Sequence, residues 1–296
     1  MGTKARGGCL VAAWLCAALG ACGGSTDSPR VELNAAEREL WAPQRPDRSV
    51  VPVLLYDGVA TRAFARQMVL LDHAGYETIT LEQFVRFTRG EKVGLPPRPL
   101  LLTFDGGRAD ALTGSDAILA ELGFNAVVFV DAGRVSAGRA EYLTWKELDA
   151  RQRGGRWEVQ LESGTGGHQI QYGPGRDDVG PFYAYRGSEE RIDGWRERVF
   201  SDISWGEEQL LVHVRGYRPL AFAPPYGNYG QAGTNDPRIP RLLLARLMES
   251  FDVVFTQDRS GFASPRTGTA APYGRIEITP EVSEDELHRL LMSAGS

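Results

Sequence analysis

The chain has 296 residues, a formal net charge of −5, and a composition of 42% hydrophobic and 24% charged residues. These proportions are those of an ordinary soluble globular domain. The modest charge comes without a basic block, which argues against nucleic acid as a partner.

The N-terminus has the three parts of an export signal. Lys4 and Arg6 are positively charged, and residues 9–19 form an apolar run that is too short to span a bilayer. The Leu-Gly-Ala-Cys sequence that ends at Cys22 resembles the lipobox of bacterial lipoproteins. This resemblance implies a signal peptide over residues 1–21, cleavage before Cys22, and lipid attachment to its sulfur. An ordinary secretory peptide cut near Ala21 is the alternative.

Beyond the leader, we predict a flexible tether over residues 22–48 and one domain over residues 49–296. All three cysteines (Cys9, Cys16 and Cys22) lie in or at the end of the leader. The domain therefore has neither a disulfide nor a thiol ligand. Any catalytic metal there must be held by His, Asp or Glu.

Short apolar runs alternate with helical patterns along the domain. Strands are predicted at residues 51–56, 100–104, 126–130, 157–161, 220–223, 253–256 and 275–278. Helices are predicted at residues 63–74, after the capping boxes at Thr80 and Thr144, and at 117–122, 190–214 (broken or irregular), 242–251 and 283–292. This alternation indicates βα units on a largely parallel sheet. No dinucleotide or P-loop motif is present, and the number of units favours an α/β barrel over two Rossmann halves.

Polar side chains follow several of the predicted strands. The apolar run before Asp105 ends in Asp-Gly-Gly, and a glycine-rich loop over residues 163–180 follows another strand. Carboxyl ends of parallel strands meet at one rim, where α/β proteins place their chemistry. We therefore expect a cluster at that rim of Asp57, Asp105, Glu162, His168 and Tyr226.

Several segments together resemble the polysaccharide deacetylases of the NodB-homology kind, and among them the branch that acts on poly-N-acetylglucosamine. The segments are Val-Pro-Val-Leu-Leu-Tyr at 51–56, Gly-Tyr at 75–76, Thr-Phe-Asp at 103–105, Gly-Phe-Asn-Ala at 123–126, Trp-Glu at 157–158 and Phe-Ala-Pro-Pro-Tyr-Gly at 222–227. The resemblance implies a distorted (β/α) barrel and an N-acetylated polysaccharide as partner. It also implies metal-assisted amide hydrolysis, with one Asp and two His as ligands and a neighbouring Asp as base.

The family pattern breaks at the metal ligands. Asp105 matches the catalytic base, but Gly106 stands where the ligand Asp belongs. His168 matches one ligand His, and the spacing of five puts Ser163 where the other is expected. Three protein ligands are the norm for a catalytic zinc, so these departures predict lost or altered chemistry.

Three functions remain open from these residues. The first is a deacetylase with a rebuilt site, in which Glu162 and Asp57 join His168 around a divalent metal such as zinc. Asp57 replaces a His that commonly follows this Tyr in the family. The resemblance places the oxyanion contact of such an enzyme at Pro225 and Tyr226.

The second function is a non-catalytic glycan-binding protein that needs no metal, with a groove lined by aromatic residues including Tyr56, Trp157 and Tyr226. The third is a metal-free glycoside hydrolase that uses Asp105 and Glu162 as acid and base. In each case the lipid on Cys22 would attach the protein to a membrane of the bacterial cell envelope.

Overall fold

A computed structural model of the chain describes residues 31–165, 168–266 and 272–293. The predicted signal peptide and Cys22 therefore lie outside the described residues. The strands are β1 (Val51–Tyr56), β2 (Glu77–Thr78), β3 (Pro99–Phe104), β4 (Ala126–Asp131), β5 (Trp157–Ser163), β6 (Gln169–Gln171), β7 (Val179–Pro181), β8 (Ala221–Phe222), β9 (Val253–Thr256), β10 (Phe262–Ala263), β11 (Tyr273–Gly274) and β12 (Ile276–Ile278). The helices are α1 (Ala35–Leu40), α2 (Thr61–His73), α3 (Leu81–Thr88), α4 (Ala109–Leu122), α5 (Ala132–Ser136), α6 (Trp145–Gly154), α7 (Ile192–His213), α8 (Ile239–Ser250) and α9 (Glu284–Met292).

Eight of the strands form a nearly closed parallel barrel, which confirms the predicted fold class. Their order is β12-β1-β3-β4-β5-β8-β9-β11. The two ends of this sheet meet at Arg275, because β11 pairs with β9 and β12 pairs with β1. A single residue thus separates the two strands at the seam of the barrel, and its N–H donates to Thr256 O (2.9 Å).

Alternating strand residues build two cores. One cluster fills the barrel and includes Val127, Phe129 and Phe255, whose two rings lie 5.7 Å apart. Helix α3 packs against this cluster, with Phe84 against Phe255 at 5.5 Å. The other cluster packs strands against the outer helices. These strands are continuous apolar runs because both of their faces are buried.

Two parts of the chain differ from the prediction. Helix α7 is continuous over 22 residues rather than broken. Its Gly206 lets the helix approach β5 closely, since an added Cβ would lie 2.8 Å from Leu161 Cδ1. The predicted loop at 163–180 also contains an antiparallel ribbon of β6 and β7.

The predicted tether is ordered from residue 31 onward. Helix α1 begins with a reciprocal capping box between Asn34 and Glu37. Leu33 and Trp41 are buried, and the Trp41 ring packs edge-on against His288 at 5.1 Å. The folded unit therefore starts before residue 49. Within the described ranges, no helix combines the length and apolarity needed to cross a bilayer.

Candidate functional site

Four carboxylates lie at the rim of the barrel that the carboxyl ends of the strands form. Asp105 directly follows β3, Asp131 ends β4 and Glu162 lies near the end of β5. Val127 and Phe129 point into the barrel, and the period of two directs Asp131 to the same side. Asp57 follows β1 and is exposed.

Asp105 is held by a buried arginine from the seam of the barrel. Arg275 Nη1 and Nη2 donate to Asp105 Oδ1 and Oδ2, both at 2.7 Å. The Arg275 side chain is 0% exposed and that of Asp105 is 24% exposed. A bidentate pair of this kind fixes the carboxylate in orientation as well as in charge.

Glu162 is a buried carboxyl next to this pair. Its Oε2 accepts a hydrogen bond from the N–H of Gly106 (2.9 Å). Burial raises the pKa of Glu162 well above its ordinary value of 4.5, and the charges of Asp105 and Asp131 raise that pKa further. Arg275 and the Gly106 N–H act in the opposite direction. Glu162 is therefore suited to remain a neutral acid.

His168 faces two carboxylates. Its Nε2 lies 3.0 Å from Asp131 Oδ2 and 3.7 Å from Glu162 Oε1. Neither atom of the nearer pair makes a hydrogen bond within the described residues. Arg134 Nε lies 3.1 Å from the same Asp131 oxygen, and the Arg134 N–H donates to Asp131 Oδ1 (3.0 Å). Asp131 thus already has a cationic partner.

These residues do not fit the metal centre that the family resemblance implies. Gly106 offers an N–H instead of a carboxylate, and its φ of +79° is strained for any residue with a side chain. The Ser163 hydroxyl is buried and has no hydrogen-bond partner in the described part of the chain. Among those residues no group of three His, Cys, Asp or Glu side chains is arranged to hold a metal ion. Glu162 lies 3.7 Å from His168, and a site in which Glu162 and Asp57 join His168 around a metal ion stays a prediction.

The loop that carries His168 is clamped by helix α7. Asp202 accepts from the N–H groups of Gly164 (2.9 Å) and Thr165 (2.8 Å) and from the Thr165 hydroxyl (2.6 Å). The Tyr183 hydroxyl donates to the same carboxylate. Gly164 is required here, because an added Cβ would lie 2.1 Å from Asp202 O.

Tyr226 is an exposed aromatic residue held in a strained conformation beside His168. It has φ +60° and ψ +16° and is 54% exposed. The two ring centroids are 6.0 Å apart, at 80° to each other. A left-handed backbone is a genuine outlier for a bulky residue, and such strain concentrates at functional sites. Pro225, which precedes it, is buried.

Two of the predicted aromatic contacts are buried. Trp157 begins β5, is 1% exposed, and donates its indole N–H to Asp116 Oδ1 (2.7 Å). It therefore packs in the outer core rather than lining a groove. Tyr56 is buried against Phe64 and Phe104. Asp57 shares a cavity with Asp105 rather than approaching His168.

Asp131, Arg134 and Arg275 are site residues that the sequence analysis missed. Asp131 had a readable signal, because the run Val-Val-Phe-Val-Asp ends in an acid just as the run before Asp105 does. Arg134 follows one turn later in α5. Arg275 gave no such signal, since its partner is 170 positions away in the chain.

No protein-family model matches the sequence, and no curated protein matches it. Solved structures do resemble it. A de-N-acetylase from Aggregatibacter actinomycetemcomitans superposes with a TM-score of 0.69 at 16% identity, over 81% of this chain and 99% of that one. The BpsB deacetylase domain from Bordetella bronchiseptica gives 0.65 at 20% identity, over 80% and 98%. IcaB from Ammonifex degensii gives 0.63 at 21% identity, over 84% and 98%. These likenesses confirm the predicted resemblance to polysaccharide deacetylases at the level of fold.

Proposed function

We propose that this chain binds N-acetylated polysaccharide at the rim of a deacetylase-type barrel and does not use a catalytic metal. The observation that carries the proposal is Tyr226. It presents an aromatic face to solvent next to His168 while its backbone is held in a strained conformation. Such a ring can stack on the apolar face of a sugar, in the way aromatic side chains anchor many ligands.

The charged groups of the rim support binding rather than metal-dependent hydrolysis. Asp105 is paired with Arg275, and Asp131 lies between Arg134 and His168. A metal ion would have to compete with Arg275 for Asp105 and with Arg134 for Asp131. Deacetylation by the family mechanism would also need ligands at Gly106 and Ser163, whose groups cannot supply them.

Calorimetry of the full-length protein with poly-N-acetylglucosamine oligomers tests the proposal. We expect binding that persists in a chelator and is weakened about tenfold or more by Tyr226→Ala, since a buried aromatic contact contributes about 1.5–3 kcal/mol. Leu211→Ala is the matched control, because Leu211 is exposed on α7 and outside the rim. Absence of binding by the unaltered protein would overturn the proposal.

Acetate release from the same oligomers distinguishes a deacetylase. We expect none above background, with or without added zinc, manganese or iron. Metal-dependent release that is lost in His168→Ala would establish the rebuilt deacetylase instead.

One observation favours a second function, the hydrolysis of a glycosidic bond without a metal. Glu162 is a carboxyl with a raised pKa beside the carboxylate of Asp105, and such contrasting pairs supply the acid and base of glycosidases. Reducing-end release from the oligomers, abolished in Glu162→Gln, would establish it. We rank it second because both Asp105 oxygens already accept from Arg275.

The proposal includes a location in the bacterial cell envelope, with the protein attached through a lipid on Cys22. The support is the leader sequence that ends in Leu-Gly-Ala-Cys. Metabolic labelling with a fatty acid, in cells that express the full-length chain, should mark the processed protein that starts at Cys22. Cys22→Ala should abolish the label, and an unlabelled protein would point to ordinary secretion.

A further inference from the structure

The cavity that Asp57 shares with Asp105 lies on the outer side of the barrel. Its volume is about 240 Å³, and it lies between the ends of β1 and β3 and the first turns of α2 and α4. Its apolar walls include Val59, Phe64 and Phe104. Tyr56, Asp57 and Asp110 are among its polar lining.

Tyr56, which lines this cavity, has a buried hydroxyl without a hydrogen-bond partner among the described residues. The residue as a whole is 4% exposed. Burial also raises the pKa of this hydroxyl above its ordinary value of 10.0, so that the group remains a donor. A buried donor without an acceptor costs free energy that a ligand oxygen would recover.

The backbone around the cavity offers further donors. Helix α2 starts at Thr61 without a side-chain cap, and both Ala60 and Thr61 line the cavity. The first N–H groups of a helix are free to donate to a ligand. Helix α4 is also uncapped, but Asp110 Oδ1 already accepts its Ala111 N–H (2.9 Å).

Two of the three carboxylates on the cavity wall are paired with arginines. Asp105 is paired with Arg275, and Asp110 is paired with Arg108 at 2.8 Å. Asp57 forms no ion pair in the described structure, and it lies close to the positive end of the α2 dipole. Donors and acceptors are thus present without a strong net charge, which suits a neutral ligand that carries hydroxyl or amide groups better than an anion.

We infer that this cavity is a subsite for one sugar unit of the bound polysaccharide, with the Tyr56 hydroxyl donating to a sugar oxygen and Asp57 accepting from a sugar hydroxyl. This inference rests on the proposed function and extends it. The volume is below the roughly 300–1,000 Å³ of pockets for drug-sized ligands, so a single unit is the appropriate size.

Contacts connect the cavity with the Tyr226 side of the rim. Asp105 lines the cavity, the next residue, Gly106, donates to Glu162, and Glu162 lies 3.7 Å from His168. His168 in turn contacts the Tyr226 ring. A chain that occupies both places would span more than one sugar, so that affinity should rise with oligomer length.

Binding of poly-N-acetylglucosamine oligomers of one to six units to the full-length protein tests the inference. Tyr56→Phe removes only the hydroxyl, and we expect affinity for the longer oligomers to fall about 3- to 10-fold, as for the loss of one hydrogen bond. Ala111→Phe places a ring in the cavity and should weaken binding at least as much. The matched control is Tyr217→Phe, which removes another buried, unpartnered hydroxyl that does not line the cavity.

The outcomes separate the two proposals. If the unaltered protein binds no oligomer, the proposed function itself fails. If it binds and Tyr226→Ala weakens it, but Tyr56→Phe and Ala111→Phe bind as well as Tyr217→Phe, the rim binds glycan and the cavity is not a subsite. Thermal unfolding of each variant establishes that it is folded, and Tyr56→Phe, which leaves the packed ring in place, decides the question if Ala111→Phe unfolds.

Discussion

Folding buries the carboxyl group of Glu162 and thereby favours its protonated form. The carboxyl is buried among Asp105, Asp131 and Arg275, and its pKa is raised well above 4.5. The folded state therefore holds a proton that the unfolded chain releases above its ordinary pKa. By linkage, the free energy of unfolding should fall as the pH rises from about 4.5 towards the pKa of the folded state.

Glu162→Gln should remove this dependence. The amide has the shape of the neutral acid and can still accept from the Gly106 N–H, but it has no proton to lose. Relative to the unaltered protein, the variant should gain stability with pH above about 4.5, at no more than about 1.4 kcal/mol per pH unit. Urea unfolding at several pH values measures this. Glu121→Gln, at an exposed position on α4, is the control; equal pH slopes for Glu162→Gln and the unaltered protein would contradict the argument.

Removing Asp105 and removing Arg275 should lower the free energy of unfolding by different amounts. Asp105→Asn leaves a guanidinium that is 0% exposed facing a neutral amide. Breaking a buried pair in this way costs about 3–5 kcal/mol. Arg275→Met replaces the charge with an apolar chain of similar length and leaves Asp105, at 24% exposed, partly hydrated. We expect Arg275→Met to cost clearly less than Asp105→Asn in free energy of unfolding.

A double-mutant cycle checks the origin of that difference. The double variant Asp105→Asn, Arg275→Met has no buried charge left over and should be more stable than Asp105→Asn alone. If Arg275→Met costs as much as Asp105→Asn, or if the double variant is the least stable of the three, the unpaired guanidinium is not the cause.

At the scale of elements, the loop between β5 and β6 depends on one side chain of α7. Asp202 accepts from two backbone N–H groups and two hydroxyls, and these bonds hold the chain that leads to His168. Asp202→Asn replaces one acceptor oxygen with an NH₂ group that faces donors. Hydrogen bonds to a charged group contribute about 1.5–3 kcal/mol each, so we expect a loss of about 3 kcal/mol in stability.

Amide hydrogen exchange locates the effect of Asp202→Asn. The Gly164 and Thr165 amides should exchange faster relative to the core strands. Glu208→Gln, at an exposed position on the same helix, should leave their exchange unchanged. Unchanged exchange at both amides in Asp202→Asn would show that the loop is held by other contacts.

Elements whose two faces are buried could be predicted from the sequence. Strands β1 and β9 begin and end where their apolar runs do, because each run packs into the barrel on one side and against helices on the other. Asp105 could be placed at the rim for the same reason. The ribbon of β6 and β7 could not be predicted, since each strand is only three residues long, β7 contains both Gly and Pro, and the pairing is local to the loop.

Only part of the candidate site could be predicted from the sequence. The departures at Gly106 and Ser163 can be read in the sequence, but what replaces the missing ligands depends on contacts between distant segments. Arg275 reaches Asp105 because the barrel closes at the seam between β11 and β12. Strand alternation predicts that an acid reaches the rim, whereas the cation that neutralises it follows from the tertiary fold.

At the scale of the whole molecule, the N-terminal boundary decides whether helices α2 and α9 keep their full packing. Trp41 is 2% exposed and packs on His288 of α9, and Arg66 of α2 contacts both Glu37 of α1 and Glu284 of α9, the latter at 3.0 Å. Residues 31–48 therefore contact both α2 and α9. A chain that starts at residue 49 would expose the surface that Trp41 covers.

A chain that starts at residue 31 should accordingly be more stable than one that starts at residue 49. We expect a difference of about 3–5 kcal/mol, the usual cost of removing a buried Trp, and a similar loss for Trp41→Ala in the longer chain. Urea unfolding of the three proteins measures it, and Glu39→Gln, exposed on α1, serves as the control. If the chain that starts at residue 49 were as stable as the longer one, residues 31–48 would contribute nothing to the stability of the fold. The folded domain would then begin at residue 49, as the composition predicts. If that chain loses the expected stability, the folded unit includes α1 and Trp41, which contact α2 and α9.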